Sequence, residues 1–169
     1  NLSVQVHPGD AYARRVEHGF GKTEAWYILD AQEGAELIYG FRKEISREEF
    51  QRRIVDNTLL EVVHRVPVKK GDLFFIEAGT LHAIGKGILL AEVQQNSNTT
   101  YRVYDYGRVD QNGKPRELHV DKAVDVTRCA PPAYSSKPQG EPQLLDGYTK
   151  TLLVSCDLFT VHTLDISSQ

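Results

Sequence analysis

With 169 residues and 40% apolar side chains, the chain can build one ordinary hydrophobic core and part of a second unit. A net charge of -3 provides no basic surface for nucleic acid, and no apolar run approaches the roughly 18 residues of a membrane span. No signal-peptide pattern or CxxC pair occurs, and Cys129 and Cys156 stand apart from the polar motifs, so reduced thiols in a cytoplasmic protein are expected.

The chain opens at Asn1 inside a strand-like run, in which Leu2, Val4 and Val6 alternate with Ser3, Gln5 and His7 until Pro8 ends the ladder. Residues 25–29 and 36–39 are β-rich, and the stretch 30–34 between them suits a hairpin turn. Ser46-Arg47-Glu48-Glu49 reads as a capping box, in which the Ser hydroxyl takes a helical N–H and Glu49 reaches back. Phe50, Ile54 and Val55 follow as an apolar helical stripe, and Thr58-Leu59-Leu60-Glu61 repeats the cap pattern more weakly. The turn signal Lys70-Gly71-Asp72 precedes the strand 73–76; 88–93 and 99–104 are further strands, and 121–128 looks helical. Residues 130–142, rich in Pro, Ser and Gly, read as a linker, after which 151–155 and 159–166 resume strand character. There is no Met, and the chain stops at Ser167-Ser168-Gln169, so both ends are expected to be cuts in a longer protein.

Many short strands separated by turns predict a mainly β barrel or sandwich, with helices inserted between the strand at 36–39 and the strand at 73–76. No Gly-rich phosphate loop follows a strand, which argues against a nucleotide fold.

Gln5 and His7, two apart in a strand, share one face, and Val4 and Val6 share the other. Lys22 and Glu24 are again two apart, and His82 follows the turn Ala78-Gly79-Thr80-Leu81. Together these offer two imidazoles, a carboxylate and an amide oxygen, and two His plus one carboxylate is a recurrent catalytic zinc set with a position open for water or substrate. By spacing alone a histidine is more often structural than a ligand; His18, His64, His119 and His162 lack matching neighbours.

As strings, Ser3-Val4-Gln5-Val6-His7-Pro8, Gly21-Lys22-Thr23-Glu24-Ala25-Trp26-Tyr27, Ala78-Gly79-Thr80-Leu81-His82-Ala83-Ile84-Gly85 and the run from Glu92 to Asp105 resemble the signature of type I mannose-6-phosphate isomerases in their short bacterial form. That resemblance implies a cupin-type β-barrel (jelly roll) with a short helical insertion, plus part of a second β unit. The implied division is a metal-binding barrel over 1–128, lacking a segment that precedes Asn1, a linker over 129–143, and the start of a second cupin-like unit over 144–169. It further implies one Zn²⁺ per chain on Gln5, His7, Glu24 and His82, an active-site Arg102, and a proton-transfer Lys22. The substrate implied is a small sugar phosphate, mannose 6-phosphate exchanging with fructose 6-phosphate. Ile84 stands where some relatives carry an aromatic residue, in the loop leading to Gly85-Lys86-Gly87.

The chemistry suits these residues. An aldose–ketose isomerase moves a proton between C1 and C2 through an enediol, and negative charge develops on oxygen. A zinc with one anionic ligand, Glu24, keeps a net charge of about +1 and remains a strong Lewis acid; a neutral Gln5 oxygen preserves that charge. The field of such a cation favours loss of the Lys22 proton and also favours an ionised Glu92, so these two are rival bases. Arg102, a permanent cation, can steady the enediolate or grip phosphate. Asn98 is a candidate for a sugar hydroxyl and Lys86 for phosphate, whereas Trp26, Tyr101, Tyr104 and Tyr106 are expected to be packing residues. A non-catalytic metal-containing cupin that binds or senses a sugar is the alternative. An Fe(II) oxygenase is disfavoured by the fourth ligand.

Overall fold

The computed structural model describes residues 2–167; Asn1 and Ser168-Gln169, which carry the two expected cut ends, lie outside the described residues. The elements run β1 (Val4–Val6), α1 (Asp10–Val16), β2 (Glu24–Ala31), β3 (Glu36–Phe41), α2 (Arg47–Val55), a single 3₁₀ turn (Leu59–Glu61) and β4 (Val63–Pro67). There follow β5 (Leu73–Ile76), β6 (His82–Ile84), β7 (Ile88–Gln94), β8 (Tyr101–Tyr104), α3 (Val120–Val126), β9 (Gln143–Leu145), β10 (Tyr148–Ser155) and β11 (Thr160–Ile166). The mainly β expectation holds. One sheet has the order β4-β3-β6-β1-β8, a second β5-β2-β7, and a third β11-β10-β9, with every pairing antiparallel.

The first two sheets face each other as the layers of a cupin-like barrel. Their inner faces meet in a cluster of Trp26 and Ile28 from β2, Phe74 and Ile76 from β5, and Leu37 and Tyr39 from β3. The outer face of the five-stranded sheet is covered by the helical insertion. There Val4 and Val6 pack with Phe41, Phe50, Ile54, Leu59 and Ala123. This is why β1 is buried on both faces although Gln5 is polar: the valines feed the helix-covered core, and Gln5, with His7 just past the strand, turns into the barrel.

The unbroken apolar run of β5 has the same explanation. Phe74 and Ile76 point inward, whereas Leu73 and Phe75 join Ala25, Leu153 and Val154 in a third cluster. Both faces of β5 are therefore dry, the situation in which a strand loses its polar alternation. Each such side chain contributes about 1.5–3 kcal/mol by leaving water.

Ser46 caps α2 as read from the sequence, accepting from Glu49 N–H at 3.1 Å. The reciprocal half of the box is replaced: the Glu49 carboxylate pairs with Arg53. Val55 is a correction to the apolar stripe, being 73% exposed at the helix end while Phe50 and Ile54 are buried. Thr58 gives no side-chain cap, and only a 3₁₀ turn forms there. Helix α1 and strand β4 had no expectation: α1 is too short for a clear period, and β4 alternates partly buried and exposed residues at a sheet edge. Cys129 and Cys156 are unpaired, and no helix of the described residues is long and apolar enough to cross a membrane.

Candidate metal centre

Three stretches of chain deliver the site. β1 and the residue after it present Gln5 and His7 to the barrel interior. Gly79, at φ +86°, lets the turn before β6 close, and its N–H donates to His7 C=O at 2.8 Å. β6 then pairs with β1 with Gln5 directly opposite His82. The third stretch returns through α1. Lys22 N–H donates to Pro8 C=O at 3.0 Å, and Gly21 is pressed so closely to this segment that a Cβ there would lie 2.5 Å from Asp10 N and 2.7 Å from Pro8 O. Asp10 Oδ1 holds the same loop, accepting from Gly21 N–H at 2.8 Å and from the Gln95 side-chain amide at 3.3 Å.

The result is convergence. Gln5, His7, Glu24 and His82 are all buried, the last three with 1% exposure or less. Glu24 Oε2 lies 3.6 Å from His7 Nε2, Glu24 Oε1 lies 3.5 Å from His82 Nε2, and Gln5 Nε2 lies 3.4 Å from His82 Nε2. Donors bonded at 2.0–2.2 Å to one tetrahedral ion stand about 3.4 Å apart, so the spacing fits a shared cation.

The tautomers fit too. His7 Nδ1 is 2.9 Å from Thr99 C=O, and His82 Nδ1 is 2.8 Å from Thr80 C=O. A carbonyl only accepts, so both Nδ1 atoms carry hydrogen and both Nε2 lone pairs face Glu24. His7 Nε2 has no hydrogen-bond partner, an orphaned buried acceptor that a cation would satisfy. Burial pushes His7 down to about 2, helped by the charges of His82 and Lys22, and burial pushes His82 down to about 4. Both are neutral imidazoles, the ligating form. Burial raises the Glu24 carboxyl, against the opposing pull of Lys22. Gln5 turns its NH₂ inward and its Oε1 toward Ser3 Oγ at 3.3 Å; a half turn of the amide would present oxygen, with the Ser3 hydroxyl able to serve either end.

Lys22 and Glu92 adjoin this group. Lys22 Nζ lies 3.2 Å from Glu24 Oε2 and 3.8 Å from Glu92 Oε1. Burial raises the Glu92 carboxyl, and the Glu24 charge raises it further. Arg102 stands opposite Gln5 in the β1–β8 register but is drawn toward the loop after β8, where Nη1 donates to Glu117 C=O at 2.9 Å and Nε is buried without a partner. That loop is organised by Asp105, on which Arg108 and Arg116 both close. Asn98 is exposed in an open cleft with Glu17, His119 and Lys122, beside the His7–Thr99 bond. Lys86 is not brought to the group: it sits with Arg65 and Tyr106 beside Gly87, whose carbonyl pairs with Gln32, at the end of β2 opposite Glu24. Trp26 is core, as expected, but its indole N–H also donates to Glu92 Oε2 at 3.0 Å. Period two along β2 was the available signal, since Lys22, Glu24 and Trp26 share a parity. Gln95 was missed outright; its Oε1 accepts from Thr23 N–H and pins the segment between Lys22 and Glu24.

Fold and site together define a cupin-like β protein with a buried His–Glu–His group able to hold a metal ion. No protein-family model matches the chain. Individual proteins do: mannose-6-phosphate isomerase of Streptococcus mutans is 46% identical over 166 residues, covering 98% of this chain and 51% of that protein. Mannose-6-phosphate isomerase ManA of Bacillus subtilis is 45% identical over 168 residues, covering 99% of this chain and 52% of that protein. The crystal structure of the mannose 6-phosphate isomerase from Bacillus subtilis superposes with a TM-score of 0.89 at 42% identity, over 98% of this chain and 52% of that one. The chain thus spans about half the length of the curated relatives it matches, and the resemblance to mannose-6-phosphate isomerases read from its motifs is borne out.

Proposed function

We propose that this chain carries the metal-binding half of a zinc-dependent aldose–ketose isomerase that interconverts mannose 6-phosphate and fructose 6-phosphate through an enediol. The observation that carries the reading is the convergence of His7, Glu24 and His82, whose ligand atoms lie within 4.8 Å of one another with Gln5 Nε2 3.4 Å from His82 Nε2, both imidazoles being neutral. The names of the similar proteins support the choice of substrate.

Gln5, His7, Glu24 and His82 would hold the ion, and the ion when bound supplies Lewis-acid polarisation of the sugar oxygens. The remaining work falls to the chain. Lys22 and Glu92 form a contacting pair at the edge of the buried group, suited to moving a proton between C1 and C2. Burial raises the Glu92 carboxyl, which favours its taking up a proton, and Lys22 beside it is the cation that can orient it and steady negative charge on sugar oxygen. Arg102, one strand further, offers a guanidinium edge for phosphate or enediolate. Asn98, next in sequence to the Thr99 whose carbonyl holds His7, is the candidate for a sugar hydroxyl. Lys86 has no such support, because its loop is at the far end of the strand.

We further read 1–128 as the barrel, 129–143 as a linker and 144–169 as the opening of a second β unit, in a cytoplasmic protein. The test is metal analysis together with a coupled assay on mannose 6-phosphate. Stoichiometric zinc with turnover is expected; zinc without turnover would favour a sugar-binding cupin, and iron with oxygen uptake would replace the reading altogether.

A further inference from the structure

Trp26 is two residues after Glu24, so it shares the inward face of β2 with it, and Lys22 lies just before that strand. In the β2–β7 ladder it stands directly opposite Glu92. The indole is fully buried, packed in the cluster with Ile28, Leu37 and Phe74, and lies edge-on to the His82 ring with centroids 5.3 Å apart. Its N–H donates to Glu92 Oε2 at 3.0 Å and also faces the Glu24 carboxylate, whose protonation it opposes.

Glu92 is otherwise poorly restrained. Its side chain is 32% exposed on a strand whose second half faces solvent, and it has three side-chain torsions. A buried Trp N–H needs a partner, and a backbone carbonyl would have met that need. Here the partner is the carboxylate, and the bond ties down Oε2 while Oε1 is left 3.8 Å from Lys22 Nζ. A rigid aromatic wall thereby fixes the orientation of the carboxylate, one oxygen on the indole and the other toward Lys22.

We propose that Trp26 is a positioning residue for proton transfer, acting through Glu92. The inference rests on the isomerase reading above and adds to it a residue that composition and motif assign only to the core.

Trp26→Phe keeps an aromatic ring in the cluster and removes the N–H. Expected in the full chain are a kcat lower by about 10-fold or more, a KM for mannose 6-phosphate changed by less than about twofold, and unchanged zinc content. In a Glu92→Gln background the same change should add no further loss, because the group it positions is already gone. Multiplying losses, an unchanged kcat, or zinc lost from Trp26→Phe would each overturn the proposal and leave the indole a structural role. A second readout needs no turnover. Trp26 is the one tryptophan of the chain, so Glu92→Leu, which removes the acceptor, should shift its fluorescence emission; an unshifted spectrum denies the bond. If the unmodified protein turns over no sugar phosphate, the isomerase reading fails by itself, while the emission experiment still reports on the Trp26–Glu92 bond.

Discussion

His7 and His82 meet with ring centroids 4.7 Å apart, tilted by 47°, each fixed by an Nδ1–H bond to a backbone carbonyl and each turning Nε2 to Glu24. Neither carbonyl belongs to a metal-binding candidate. The backbone at Thr80 and Thr99 thus sets the tautomer and the ring plane, which is how imidazoles are prepared to ligate before an ion arrives.

Removal of a ligand should remove the metal. His82→Ala and Glu24→Ala are each expected to drop zinc from one per chain to near none by elemental analysis, with circular dichroism unchanged and activity abolished. A variant that still carries stoichiometric zinc would take its residue out of the coordination set.

Lys22→Ala should behave differently. It removes neither a donor atom nor a core contact, so zinc stays and kcat falls by about 10²–10⁴. Near-normal rates would assign the proton transfer to Glu92 or water alone. Gly21→Ala is expected to act on the same group at one remove: its Cβ would press on Asp10 N and Pro8 O, and the displaced Lys22 should lower kcat while zinc is retained.

Asp105 gives a pH-dependent stability. The Arg116 guanidinium, and then Arg108, hold its carboxyl below the usual carboxylate range. A depressed folded value means that the contribution is present above the unfolded value of about 3.9 and is lost as pH falls through the folded one. Both arginines are more than 40% exposed, so screening keeps the contribution to about 1 kcal/mol. Asp105→Asn should therefore lower stability by about that amount at pH 7, with the difference from the unmodified protein closing toward pH 3 in urea titrations. A difference independent of pH would show that the carboxylate charge is not what matters.

The third sheet is held to the barrel through few residues. Phe75 is buried among Leu153 and Val154 and meets Tyr134 and Phe159 edge-on. Phe75→Ala should cost about 3–5 kcal/mol. Hydrogen exchange should show the protection of β10 and β11 falling while β1 and β6 keep theirs. Uniform loss over all sheets would mean that the three unfold as one unit.

Much of this was legible in local pattern. The parity of Gln5 with His7 placed that pair on one face, Lys22 and Glu24 stood two apart at a strand entrance, the Ser46 cap marked where α2 begins, and the Lys70-Gly71-Asp72 turn marked where the strand at β5 starts. These are properties of a few neighbouring residues, set by the two-residue period of a strand and the hydrogen-bonding needs of a helix end. The sequence could not tell whether the polar face of β1 met water or a site, which end of the barrel Lys86 occupied, or that the indole of Trp26 would find Glu92. Those depend on register, the pairing of Gln5 with His82 and of Trp26 with Glu92 across stretches far apart in the chain. Register is decided when two sheets bury their apolar faces together, because a slip of one residue would turn every inward side chain outward. The donors for an ion are therefore written along the chain, and their meeting at one point is a product of packing.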